Sequence, residues 1–349
     1  MKPLLSFLFL SVILFPLVFF HANAQNQLTK GRQPQVSVDP QGVIRIVFGI
    51  NDSIMVMNSS DQGKTFSEPA LVGHLEEMHL GMSRGPQIAS STNYSIVTAM
   101  DKEGDIHAFR LEHATNQWQN VNNINDLTGS APEGLMSVAA DDQDHFFAAW
   151  LDIRNDEKNK IMVASSKGGE QWSKNVIAYQ SPDGTVCECC KPNITVKDQQ
   201  VYVMFRNWLN GSRDMYLMTS DSEKLSFNAP QKLGDGSWPL KGCPMDGGGI
   251  FIDAQDQVHT IWQREGKIFY AQPGKNEVLI GEGRSASISG NKNPVIAWQD
   301  GGMLKAKFLS SDKVIPVGEG AFVDVVMRGD KNIFSVWEKE GEIYTKHFQ

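Results

Sequence analysis

The chain has 349 residues, 41% of them hydrophobic and 21% charged, with a formal net charge of −8. An acidic chain is a poor partner for nucleic acid or an anionic bilayer surface, so neither is expected. The apolar share suits an ordinary globular core, and no low-complexity tract interrupts the sequence.

In chain order, the first segment reads MKPLLSFLFLSVILFPLVFFHANA. Lys2, a long apolar run and the small-x-small triplet Ala22-Asn23-Ala24 predict a secretory leader over residues 1–24, with a retained membrane anchor as the alternative. Loss of Lys2 with the leader takes the net charge from −8 to −9. The mature chain, residues 25–349, is expected to be one secreted or periplasmic domain with no further membrane span. Export would place the four cysteines where disulfides persist.

After the leader, a pattern recurs seven times. An alternating strand ends on a large apolar residue: Phe48, Met100, Trp150, Phe205, Trp262, Trp298 and Trp337. A polar loop and a second alternating strand follow each one, as in VIRIVF then SIMVMNSS, or IFSVW then EIYTKHF. A third strand precedes each pair, such as PQVSVD, PQIASS or PNITVK, and most cycles add a fourth. The spacing of about 36 to 57 residues with four short strands predicts a β-propeller of seven four-stranded blades, with six as the alternative count. A β-sandwich with evenly spaced strands fits the repeats less well. The last cycle has only three strands before Gln349. The spacing predicts that residues 26 to 30 supply the missing one and close the ring.

Between third and fourth strands of the first cycle stands Ser59-Ser60-Asp61-Gln62-Gly63-Lys64-Thr65-Phe66. This has the S-x-D-x-G-x-T-[WF] form of the Asp-box, in which an Asp accepts turn amides, Gly takes a positive φ and the aromatic packs beneath. Degenerate copies are SSKGGEQW, ending at Trp172, and TSDSEKLSF, ending at Phe227. The sequence therefore resembles the sialidase-like superfamily of Asp-box, or BNR-repeat, propellers. The stretch from VCECCKPN through MFRNWLNGSRDMYL to GCPMDGGG also looks like a secreted branch often labelled sialidase-like. The resemblance implies recognition of an anionic carbohydrate, with exo-acting glycoside hydrolysis as one outcome.

In a four-stranded blade, the loops between blades and those joining second to third strands share one face. Three arginines precede inner strands on that face: Arg32, Arg84 and Arg284. Arg154, Arg206, Arg213 and Arg264 are assigned to the loops between second and third strands. Guanidinium groups bind carboxylate, sulfate or phosphate through paired donors, so these side chains are candidate substrate-binding residues. Ion pairs with Glu133, Asp152, Asp214 and Asp246 are the competing role. By the resemblance, Arg32 matches the first member of an arginine triad and Asp52 the acid/base. Asp52, Glu133 and Asp246 are the candidate catalytic carboxylates, because glycoside cleavage needs two flanking the bond. No Tyr stands at a blade entrance; Tyr216, Tyr270 and Tyr344 fall in third strands, which argues against the family's usual tyrosine nucleophile.

Cys187, Cys189 and Cys190 lie at the entrance to the fourth blade and Cys243 at the entrance to the fifth. Adjacent entrances put the lone downstream cysteine beside the cluster. Three readings stay open. Two disulfides would join Cys243 to the cluster and close a second bridge within it. A copper(I) site would use Cys187, Cys190 and Cys243 with Met245 and His79, near Met78 and Met82. A reactive thiol pair is the third. No cofactor is required by the first or the third. A carbohydrate- or protein-binding propeller without catalysis, and a periplasmic copper- or redox-linked protein, are the alternative functions.

Overall fold

The computed structural model describes residues 25–328 and 332–348; the leader predicted over residues 1–24 lies outside them. Among the described residues there is no helix. There are seven four-stranded antiparallel sheets, and six of them run from innermost to outermost strand in chain order. The inner strands are Arg32–Val38, Gln87–Ser90, Met136–Ala140, Asn193–Lys197, Gly249–Ile252, Arg284–Ser289 and Ala321–Arg328. Each contacts the next, and the seventh returns to the first, so the sheets are blades about a common axis. The seven-blade count is therefore correct.

The ring closes as the three-strand final cycle predicts. Asn26–Lys30 pairs antiparallel with Glu342–Phe348, with Asn26 opposite Thr345 and Lys30 opposite Glu342. The last blade thus takes its outer strand from the start of the described chain, which covers an edge that would otherwise stand open.

The core lies between blades. The seven large residues of the second strands, from Phe48 to Trp337, are all at most 3% exposed, although six of the strands run on past them. One cluster joins Val295, Ala297 and Leu304 of the sixth blade to Val323, Ile333 and Trp337 of the seventh. Each such interlock is worth roughly 1.5–3 kcal/mol per buried large side chain. Period-2 alternation puts one face of every strand against the preceding blade and the other against the following one, so both faces are apolar.

The floor of the ring, opposite the mouth, carries the turn Ser59 to Phe66. Asp61 accepts from Ser59 Oγ at 2.8 Å, Thr65 N at 2.9 Å and Thr65 Oγ1 at 2.6 Å. Gly63 has φ +82°, and a Cβ there would strike the His347 ring. Phe66 packs on Phe334 of the seventh blade, so the turn also ties two blades together.

Candidate ligand mouth and cysteine cluster

A cavity of about 320 Å³ opens along the axis. Its wall holds Gln33, Gln35, Gln87 and Asn193, the hydroxyls of Ser137, Ser285 and Ser287, and three charged residues, Lys191, Asp246 and Asp324. The amides come from one repeated local device. Pro86-Gln87 and Pro192-Asn193 open their inner strands and Pro34-Gln35 lies at the register shift of Arg32–Val38, positions where the proline needs no ladder donor.

Lys191 and Asp324 are each half-buried, and the surface they retain opens onto the cavity. Among the described residues Lys191 forms no salt bridge; its Nζ donates to Gln87 Oε1 at 3.2 Å. Enclosure by protein lowers its pKa, against the opposing pull of Asp324. Enclosure raises the pKa of Asp324, although Ser287 Oγ at 2.8 Å, Val36 N at 3.1 Å and Val325 N at 3.0 Å all donate to its carboxylate.

The fifth-blade entrance passes very close to Lys191. A Cβ on Gly247 would lie 2.0 Å from the Lys191 carbonyl oxygen, so only glycine fits there. Asn193 Nδ2 donates to Gly247 O at 2.8 Å and fastens the two entrances. This contact brings the loop of Cys243 against the loop of Cys187.

The predicted arginines do not line the cavity. Arg32 pairs with Glu338 at 3.3 Å and remains half exposed. Arg84 donates to the Glu133 carbonyl and lies 3.7 Å from its carboxylate. Arg284 reaches the Met245 carbonyl at 3.3 Å. Arg154 is engaged by Asp152 and Asp126, and Arg264 by Glu277. Arg206 requires a correction. The strand Gln200–Leu209 runs on past Phe205, so Arg206 is a strand residue and not a loop residue, and the same correction holds for Arg213 in Ser212–Asp221 and for Arg264 at the end of Val258–Arg264. Arg206 is 1% exposed and donates to the main-chain carbonyls of Asp246, Arg213 and Gln263.

The three candidate carboxylates are separated in role. Asp52 sits in the turn after the first blade's second strand. Asp246 lines the cavity but is 4% exposed, with its oxygens taken by Ser285 N at 2.7 Å and Gly248 N at 3.1 Å. Glu133 has a raised pKa because burial and the charge of Glu188 outweigh Arg84 and an Asn159 hydrogen bond.

The sulfurs lie beside the mouth. Cys189 is bonded to Cys243, while Cys187 and Cys190 are free, buried thiols. The expectation of a second bridge is corrected: the Sγ atoms of Cys187 and Cys190 stand 3.1 Å apart without a bond. Cys187 Sγ is 3.8 Å from Cys189 Sγ and 3.1 Å from Arg213 Nη1. Burial pushes the Cys187 thiol up, but the Cys190 hydrogen bond and the charges of Arg206 and Arg213 bring it down to about 7. Burial and the neighbouring Cys187 push Cys190 well up. His79 does not join the sulfur group; its ring is held at the Pro132 carbonyl, 3.2 Å away. Met78 belongs to the core between the first two blades. Among the described residues, the one metal-compatible group is Cys187, Cys189 and Cys190, with sulfurs within 4.8 Å of one another.

No family model matches this sequence, and no curated protein matches it. Solved structures do share its fold. An ulvan lyase of polysaccharide lyase family 25 superposes with a TM-score of 0.58 at 10% identity, over 92% of this chain and 95% of that one. An alpha-L-arabinanase of Penicillium chrysogenum gives 0.54 at 11% identity, covering 93% and 97%. The Hadza microbial sialidase Hz136 gives 0.53 at 11% identity, covering 92% and 66%. The chain thus has the propeller fold of sialidases and other carbohydrate-acting proteins, as the Asp-box resemblance implies, and at these identities the likeness is one of fold.

Proposed function

We propose that this is an exported propeller that binds the acidic end of a glycan in its axial mouth, with the Lys191 ammonium against the acid group. The observation that carries the reading is a lysine enclosed in the channel with a neutral amide as its partner. An ammonium in such surroundings gains from an incoming carboxylate or sulfate, and the wall amides and hydroxyls suit sugar hydroxyls. The cavity is at the small end of the range for ligand sites, which suits one terminal sugar more than a long chain. Propeller neighbours that act on carbohydrates support the ligand class. Export rests on the leader at residues 1–24 and is tested by sequencing the N-terminus of the mature protein.

The test is calorimetric titration with sialylated, uronate-bearing and sulfated oligosaccharides beside their neutral counterparts. Binding of the acidic set, lost in Lys191→Met, supports the proposal; equal binding of neutral sugars overturns it. Hydrolysis is a second reading that Asp324 favours, since a carboxyl with a raised pKa has the character of a general acid. Turnover of a fluorogenic sialoside that disappears in Asp324→Asn would support it. No turnover across a glycoside panel would leave binding alone.

A further inference from the structure

The cysteine cluster has a chemistry that glycan binding does not use. Arg206 is a fully buried cation, and among the described residues its hydrogen bonds go to carbonyl oxygens and not to a carboxylate. Burying a charge without a counter-charge is strongly unfavourable, so the site gains from an anion placed nearby. The Arg206 charge acts on Cys187, and Arg213 Nη1 stands 3.1 Å from Cys187 Sγ, with Glu188 as a further partner. The two guanidinium groups therefore supply a positive environment in which Cys187 is best accommodated as a thiolate. Accessibility divides the four cysteines. Cys187 and Cys190 are at most 1% exposed, whereas Cys243 faces solvent.

We propose that the four cysteines form a two-electron relay, in which the buried Cys187–Cys190 dithiol exchanges with the surface Cys189–Cys243 disulfide. The Cys187 sulfur attacks Cys189 Sγ, 3.8 Å away, forming a Cys187–Cys189 bond and expelling Cys243 as a thiolate. The Cys190 sulfur, 3.1 Å from Cys187, then attacks Cys187 and expels Cys189. The two protons of the original dithiol pass to Cys189 and Cys243. Two electrons have moved from the interior pair to the surface pair, and no outside oxidant or reductant is consumed. The partner class is a disulfide-bearing molecule in the same compartment, which the emergent Cys243 thiolate would attack. Its own disulfide bond would break, and a mixed disulfide with Cys243 would form.

The test is irreversible trapping in the folded, unreduced chain. The protein is incubated with N-ethylmaleimide near pH 7.5, unfolded in acid and mapped by mass spectrometry without reduction. The expected map carries label on Cys189 and Cys243 with a Cys187–Cys190 bridge. Cys187→Ser should slow labelling of Cys243 at least tenfold, whereas Cys190→Ser should stall at a Cys187–Cys189 bridge with Cys243 labelled. The wild-type map stands by itself if a variant fails to fold. A Cys189–Cys243 bridge that survives prolonged incubation, with label on Cys187 or Cys190 or on neither, overturns the relay. So does a freshly purified chain with four reduced cysteines and a stoichiometric thiophilic metal such as copper. Glycan binding is read separately by calorimetry, so failure here leaves the mouth proposal standing.

Discussion

The floor and the mouth of this ring treat charge in opposite ways. On the floor, carboxylates are absorbed by their own turns. Asp39 accepts from Val43 N at 2.8 Å and meets buried Arg45 at 2.6 Å. Asp141 accepts from Gln143 N, His145 N and His145 Nδ1. Asp253 does the same with Gln255 N, Gln257 N and His259 Nε2. At the mouth, Lys191 meets one neutral amide and Asp324 keeps a raised pKa despite its donors. Satisfied charges hold hairpins together; a charge left with one weak partner, as Lys191 is, is available to something that arrives later. The lesson is that charge count does not separate structural from ligand-facing residues, whereas the quality of their partners does.

The sharpest way to break this contrast is on the floor. Asp39→Ala would strand Arg45 in the interior, at a cost of about 3–5 kcal/mol. Urea unfolding should register that loss while affinity for acidic glycans stays within twofold of wild type. If affinity fell as well, the two faces would not be separable. At the mouth the opposite is expected: Lys191→Met should weaken acidic-glycan binding at least tenfold and leave the unfolding midpoint unchanged or higher.

A pH series sharpens the same point. The folded pKa of Lys191 lies below its ordinary value of 10.5, so the folded state gives up that proton first. Below the folded pKa both states are protonated and the burial penalty is fully present. Stability contributed by this site therefore rises with pH between the lowered folded pKa and the unfolded value. Thermal melts of wild type against Lys191→Met across that window should converge as pH increases.

The smallest effect belongs to Asp61. Its pKa is held low by Thr65 and Ser59, so the stability it contributes is present above the unfolded value of 3.8 and is lost as pH falls toward its folded one. Asp61→Ala should lower the melting temperature slightly at neutral pH, and the difference should vanish in strong acid.

Most of the fold was legible because each blade repeats one pattern. A large apolar residue recurs toward the end of every second strand, and every one of those residues is buried. The three-strand final cycle pointed to residues 26 to 30 for closure, since an open edge is costly. Site residues were legible by face and not by partner. The location of the cysteines beside each other followed from adjacent blade entrances, but which of them bond depends on side-chain geometry. Arg206 was misassigned because the alternating pattern breaks at Phe205 while the strand continues to Leu209. Lys191 was overlooked among more numerous arginines, although Lys191-Pro192-Asn193 parallels Gln33-Pro34-Gln35 at an equivalent entrance. That repeated Pro-amide pair is the signal that could have found the channel wall.

The seam in the seventh blade has a kinetic consequence. Asn26 must find Thr345, a partner from the far end of the chain, before the circle is complete. Such a long-range closure carries a high loop entropy, so the final blade cannot lock during early synthesis. A nascent chain of this design stays unsealed until Glu342–Phe348 has been made, so its first six blades must hold their places without the closing pair.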